Sequence, residues 1–211
     1  MTRRPLPRSF YDREPALVAR ELLGAVVECR TKGGVASGRV VETEAYLGPH
    51  DPACHAAVGL TARTECLFGP PGTAYVYFIY GMHWCLNAVT QRAGVGSAVL
   101  LRAVEPLVGL PLMRRRRHVR ARGPAADRVL TNGPGKVCAA LGIDGRANGA
   151  SLQRGPVFVL RGDDVTDADV AVSPRIGITR AAHWPQRYFV RDNPFVSRTP
   201  STFAVRRYTA G

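Results

Sequence analysis

Between Pro15 and Leu23 the apolar positions Leu17, Val18, Leu22 and Leu23 fall near helical spacing, with Asp12 placed as an N-cap and Gly24 as a terminator. This predicts a short helix. The period then changes to two. AVVECR (25–30), the turn TKGG (31–34) and VASGRVVETEAY (35–46) predict a β-hairpin with a long second strand. Residues 47–72, LGPHDPACHAAVGLTARTECLFGPPG, hold no period and are rich in Gly and Pro. A loop that long inside a compact domain is usually functional. AYVYFIY (74–80), a turn around Gly81 and HWCLNAVT (83–90) predict a second hairpin, and SAVLLRAVEP (97–106) a further strand. From Leu107 the pattern turns helical, through Leu110, Leu112 and Met113, into the basic block RRRRHVRAR (114–122). GPGKVCAALGI (133–143) predicts another helix, and strands are expected at 155–162, 175–179 and 187–191.

These elements make a single α+β domain over residues 1–211, a mostly antiparallel curved sheet with β-hairpins and flanking helices. Residues 1–7 form a basic arm and 199–211 a tail, both expected to be flexible. The longest apolar stretches fall short of the roughly 18–20 residues that span a bilayer, so no membrane segment is expected. The N-terminus lacks an apolar h-region, which points to a cytoplasmic chain.

Charge narrows the partner. Twenty-nine basic against 16 acidic residues leave a net +13, and only Lys32 and Lys136 are lysines. Arginine suits bidentate phosphate contacts, and a strongly basic domain is the footprint of a nucleic-acid binder. Arginine usage set by genomic base composition is the alternative. The 5 cysteines (29, 54, 66, 85 and 138) contain no Cys-x-x-Cys pair. Neither a disulfide framework nor a metal site is expected.

Alternation along 39–46 places Val40, Glu42, Glu44 and Tyr46 on one strand face and Val41, Thr43 and Ala45 on the other. Two carboxylates and an aromatic ring running into a Gly-Pro loop read as the wall of a site, or else as a solvated edge with a salt-bridged Glu. In the second hairpin Tyr75, Tyr77 and Ile79 face one way, and Tyr80 is expected on the opposite face, protruding beside Gly81. Aromatic wedges unstack a duplex and inward aromatics stack on a flipped base; the bland alternative is a set of core tyrosines.

VETEAYLGPHDPACHA (41–56), FGPPGTAYVYFIYGMHWCLN (68–87), VLLRAVEP (99–106), NGPGKVCAALGI (132–143), RIGI (175–178) and RYFVRDNPFVS (187–197) resemble the alkyladenine, or 3-methyladenine, DNA glycosylase family. The likeness runs in the same order from about residue 8 to residue 198. It implies a monofunctional, monomeric base-excision-repair enzyme that flips a damaged purine out of double-stranded DNA and hydrolyses its N-glycosidic bond with water, without metal or organic cofactor. In a bacterium such a chain is expected at the nucleoid. By motif, Glu44 is similar to the family's general base, and Arg102 and the Ile176 carbonyl to the groups that hold the water. Tyr46, His55 and Tyr77 resemble the walls of the base pocket, His55 also reaching a phosphate. Asn87 resembles the floor residue that discourages a 2-amino group, and Tyr80 the plug that fills the gap. Arg114, Arg115, Arg116 and Arg117 are expected on the DNA backbone, with a solvated helix face as the alternative. The loop departs from the family in carrying Arg-Thr-Glu-Cys at 63–66, where many relatives carry Arg-Asn and then a Met.

Two other classes share the charge. A non-catalytic DNA-binding module would not need Glu44 beneath an aromatic pocket. A nucleic-acid transferase would need a cofactor site, and GPGK (133–136) lacks the spacing and trailing Ser/Thr of a P-loop. Lys136 in that segment lies outside the matched catalytic motifs and is read as an exposed or phosphate-binding lysine rather than a Schiff-base nucleophile.

Overall fold

β-Branched and aromatic residues at period two make the strands that organise the computed structural model, which describes residues 3–209. Strands β1 (Val26–Thr31), β2 (Gly34–Tyr46), β3 (Ala74–Ile79), β4 (His83–Thr90), β5 (Ser97–Val108), β6 (Val157–Leu160), β7 (Val170–Ser173), β8 (Arg187–Val190) and β9 (Arg206–Arg207) form one 9-stranded open sheet. Its main path runs β3-β4-β5-β2-β8-β7-β9, with β1 and β6 branching from β2, and the strand pairs are antiparallel. The long β2 is the hub. One edge pairs with β5, while the other is shared by β1 along its first half and β8 at Glu42, Thr43 and Glu44.

Helices α1 (Arg8–Tyr11), α2 (Pro15–Glu21), α3 (Leu110–Arg116), α4 (Pro124–Arg128) and α5 (Pro134–Leu141) are short. Such helices are stabilised by packing rather than by propensity. Val18, Ala19 and Leu22 of the α2 region and Val137, Ala140 and Leu141 of α5 are buried in the main core with Val76, Leu86, Val99 and Leu101 of the sheet. The other face carries a smaller cluster, Tyr75, Val89 and Ala98, closed over by Cys54, Ala56 and Leu67 from the loop 47–72. Adjacent residues of each strand thus serve opposite faces, as the pleat requires. Together these features are a single α+β domain.

Several local expectations are corrected. Helix α2 is preceded by Glu14, not Asp12, and begins on Pro15, whose missing N–H costs nothing at a first turn. Gly24 does end that region, in a left-handed conformation (φ 88°), and a Cβ there would lie 2.0 Å from the Asp163 carbonyl oxygen. Leu107 belongs to β5, so the third helix starts only at Leu110, and the basic block leaves the helix after Arg116. The strand expected at 175–179 is absent: the strand is β7, and beyond it Pro174 and the left-handed Gly177 (φ 78°) hold the chain in a loop. The arm and tail, expected to be flexible, each make a backbone contact with the sheet. The Leu6 amide donates to the Val159 carbonyl (2.9 Å), and β9 pairs with β7. Residues 1, 2, 210 and 211 of those segments lie outside the described residues. No helix among the described residues is long and apolar enough to cross a membrane.

The face assignment on β2 is also corrected at one residue. Val40 pairs with Val104 and Glu42 with the adjacent Ala103, so Val41 is accommodated as a bulge. Val40 therefore joins Ala45 in the main core instead of sharing a face with the glutamates.

Candidate active site

A cavity of about 580 Å³ opens on the face opposite α2, and alternate residues of three neighbouring strands line it. Strand β3 contributes Tyr75, Tyr77 and Ile79, β4 contributes Cys85 and Asn87, and β5 contributes Ala98, Leu100 and Arg102. Tyr46 closes the end of β2, His55 enters from the 47–72 loop, and Ile176 to Ile178 cover another side. The sequence-predicted Tyr46, His55, Tyr77, Tyr80, Asn87, Arg102 and Ile176 thus meet at one cavity.

Glu44 lies directly behind this lining and is fully buried. Its Oε1 accepts from the Ile176 amide (2.7 Å) and lies 3.3 Å from Arg102 Nη1, while its Oε2 accepts from the Tyr46 hydroxyl (3.0 Å). Three donors, each on a cavity-lining residue, face one carboxylate. At Ile176 the atom touching Glu44 is the amide nitrogen, a contact distinct from the water-holding role expected of its carbonyl. Burial, then the neighbouring Glu44 and Tyr77, pushes the Tyr46 hydroxyl far above its ordinary value, so it keeps the proton it donates.

Arg102 is itself held from behind. Its Nε donates to Glu42 Oε1 (3.0 Å), which also accepts from Arg187 Nε (2.7 Å) and the Ser197 hydroxyl (2.7 Å), and Glu42 Oε2 accepts from the Ser197 amide (2.8 Å). Burial alone would raise the Glu42 carboxyl; Arg102, Arg187 and Ser197 outweigh it and hold the group below the usual carboxylate range. A second buried pair closes the opposite side. Arg175 donates to both Asp51 oxygens and to the Ala45 carbonyl (3.0 Å), and its guanidinium stacks 4.7 Å from the centre of the Tyr46 ring. Asp51 also accepts from the Leu47 and Ala53 amides, so this pair ties the 47–72 loop to the loop carrying Ile176. Sequence reasoning singled out none of Asp51, Arg175, Arg187 or Ser197. The available signals were that all four lie inside the family-like segments 41–56, 175–178 and 187–197, and that alternation places Glu42 on the face of Glu44.

His55 shares a 2.9 Å hydrogen bond through Nδ1 with the Tyr75 hydroxyl and packs edge-on against Tyr77, with centroids 4.5 Å apart. Burial, then Arg63, keeps its ring below the ordinary histidine value, so it is neutral at pH 7. Burial pushes the Tyr75 hydroxyl up to about 12, and with that hydroxyl as donor the remaining His55 proton sits on Nε2. Asn87 is buried and spends one amide proton on the Tyr75 carbonyl (3.1 Å). Cys66, at the family departure, packs in the small cluster behind the pocket.

Tyr80 departs from strand alternation. It and Gly81 are both left-handed (φ 53° and 67°) in a turn closed by the Met82 amide on the Ile79 carbonyl (3.3 Å). The side chain therefore protrudes at the cavity mouth on the same side as Tyr77, not on the opposite face.

The arginine run divides. Arg114 makes a two-pronged ion pair with Asp127 (2.7 and 2.9 Å), and Arg116 donates to the Ala140 and Leu141 carbonyls (3.1 and 2.7 Å) at the end of α5. Arg117 lines the cavity, as does Lys136, whose Nζ donates to Asn132 Oδ1 (2.8 Å). Lys136, expected away from the site, is thus at its rim, and burial, then Arg117, lowers its ammonium group below the usual value. Arg115, Arg120 and Arg122 are exposed and make no ion pair among the described residues. No cluster of three or more His, Cys, Asp or Glu placed to hold a metal occurs among the described residues.

Comparison with known proteins finds relatives that cover almost the whole chain. A protein of Myxococcus xanthus, provisionally named a 3-methyladenine DNA glycosylase, is 50% identical over 199 residues, covering 92% of this chain and 94% of its own. Proteins with the same provisional name from Koribacter versatilis and Legionella pneumophila (strain Corby) are 45% and 42% identical, covering 92% and 93% of this chain and 93% and 100% of theirs. The pattern of the methylpurine-DNA glycosylase family matches residues 9–194, a span that contains every cavity-lining residue described above, and the chain belongs to that family.

Proposed function

We propose that this chain excises alkylated purines of the 3-methyladenine class from double-stranded DNA, turning the damaged nucleotide into the aromatic cavity and hydrolysing its N-glycosidic bond with water. The observation that carries this reading is the buried carboxylate of Glu44 immediately behind the cavity wall, facing donors on Tyr46, Arg102 and Ile176.

Alkylation at a purine ring nitrogen makes the base cationic and a good leaving group. Tyr46 and Tyr77 offer ring faces to that cation, an attraction worth about 2 kcal/mol or more when desolvated. The carboxylate has no exposed surface, so the attacking water enters by displacing its longest contact, Arg102 at 3.3 Å. The water oxygen then bonds to C1′ while the C1′–N bond breaks, its electron pair leaves with the base and the water proton passes to Glu44. The same negative charge stabilises the oxocarbenium-like transition state. Neutral His55 directs its Nε2–H toward a phosphate oxygen of the extruded nucleotide, and Tyr80 fills the vacated stack. Nitrogen nucleophilicity plays no part: Lys136 is held on Asn132, and borohydride is expected to trap no protein–DNA adduct during turnover.

Glu44→Gln keeps the hydrogen-bonding shape and removes the base. Release of methylated purines under single turnover is expected to fall by several orders of magnitude, with binding to an abasic-analogue duplex retained. Excision within about tenfold of the parent, roughly 1.4 kcal/mol of barrier, excludes Glu44 as the base.

A further inference from the structure

Exposed apolar surface is concentrated in two places. Among the described residues Tyr80 (77% exposed), Val58 (72%), Leu60 (68%) and Met82 (68%) stand apart, every other large apolar side chain being 52% exposed or less. All four lie in two short segments: the hairpin tip 80–82, whose Tyr80 lines the cavity, and the loop 58–60, which follows the cavity-lining His55 by three residues. Single exposed aliphatics are ordinary, whereas a group of them marks a contact surface. The hairpin tip has its explanation in the plug; the 58–60 loop does not.

That loop is placed and braced for contact. It extends from the single-turn 3₁₀ helix His55–Val58, whose first residue lines the cavity against Tyr77. At about 2 Å rise per residue, Val58 stands roughly 6 Å along the axis from His55. Gly59 is left-handed (φ 82°), and nothing lies within 4 Å of where its Cβ would be, so the tip projects into open space. Beneath it the Thr64 hydroxyl donates to the Gly59 carbonyl (2.9 Å) and the Thr61 amide donates to Thr64 Oγ1 (2.8 Å). The loop is held from within while its two largest side chains are left outside. Arg63, exposed and three positions after Leu60, supplies a cation in the same loop. Apolar wedges with adjacent cations are the means by which proteins enter the minor groove and part base steps.

We propose that Val58 and Leu60 form a second DNA-insertion element, which enters the minor groove beside the damaged nucleotide and, with Tyr80, holds the duplex open while the base occupies the cavity. This rests on reading the cavity as the seat of an extruded base. A protein partner or a second copy of the chain is the competing occupant of the same surface.

The test compares the full chain, a Val58→Ser/Leu60→Ser variant and a Val205→Ser control, the last altering an exposed valine of the C-terminal segment. Release of 3-methyladenine under single turnover is measured from duplex DNA treated with dimethyl sulfate, and from the same DNA with its strands separated. The double variant is expected to lose about tenfold on duplex and less than twofold on single strands, with an unchanged unfolding midpoint. The rise in 2-aminopurine fluorescence beside a tetrahydrofuran abasic analogue, which needs no catalysis, is expected to shrink several-fold. Unchanged fluorescence and duplex excision overturn the proposal, as does an equal loss on duplex and single strands. Sedimentation showing self-association of the parent, lost in the variant with DNA responses intact, assigns the loop to a protein contact and also overturns it. If the parent releases no methylated purine from either substrate, the reading of the cavity fails, while the fluorescence arm still decides the insertion.

Discussion

The two faces of the central sheet are built from the same strands, residue by residue in alternation, yet they bury different chemistry. Toward α2 and α5 the strands present Val76, Leu86, Val99 and Leu101, an apolar layer stabilised by removal from water. Toward the cavity they present Glu42, Glu44, Arg102 and Arg187, joined by Arg175 and Asp51, all buried. Each buried ion costs several kcal/mol in lost hydration, offset only where pairing is good, and apolar residues of equal volume are often as stabilising or more so. Stability therefore explains the first face and not the second. The ions are useful because they hold one carboxylate, Glu44, in fixed register behind an aromatic cavity.

Breaking the ionic face is expected to have the largest effect. Glu42→Gln leaves Arg102 and Arg187 without their shared anion, and urea denaturation is expected to show a loss of about 3–5 kcal/mol. A loss below about 1 kcal/mol removes the contrast between the faces. The pH dependence has a definite sign. Glu42 and Asp51 are held below their ordinary values of 4.5 and 3.8, so their contribution is fully present above those values and is lost as pH falls through the lowered folded-state values. Urea midpoints of the parent are thus expected to fall from about pH 4.5 downward, and those of Glu42→Gln to fall less steeply.

On the apolar face Leu22→Ala removes a fully buried side chain from the main core. The expected cost is about 3 kcal/mol, with single-turnover excision per folded molecule unchanged. A large drop in excision rate at full folding couples the two faces and blurs the division drawn between them.

Surface charge offers the smallest and most selective test. Exposed Arg115 and Arg120 are free to meet phosphates, whereas Arg114 and Arg116 are engaged inside the protein. Replacing Arg115 and Arg120 with Ala is expected to lower the slope of log affinity against log salt by about one to two, equally for damaged and undamaged duplexes. Replacing Arg114 with Ala is expected to reduce stability and leave the slope alone. An unchanged slope in the first variant assigns the run to a solvated surface.

Local pattern carried much of this into the sequence. Period two on 74–80, 83–90 and 97–106 predicts which side chains of β3, β4 and β5 share a face, because the pleat is a property of each strand by itself. The unpatterned 47–72 segment predicts a functional loop, and the ordered family segments carry Glu44, Tyr46, His55 and Asn87 with them. Where a residue leaves the regular backbone, the local rule fails: the bulge at Val41 moves Val40 to the core, and the left-handed turn at Tyr80 brings that ring to the cavity side.

Only the tertiary structure decided who holds Glu44 and Glu42. The Ile176 amide reaches Glu44 across 132 positions, Arg187 reaches Glu42 across 145, and Arg175 reaches Asp51 across 124. Such meetings depend on strand register and on which edge of β2 is taken by β8, quantities with no local periodicity. The same holds for Lys136 and Arg117 at the cavity rim and for Asp127 on Arg114. The sequence by itself determined the strands, the two-sided character of the sheet and the kinship; closure of distant loops onto β2 decided the charge partners, because a buried ion's partner is set by where the chain returns.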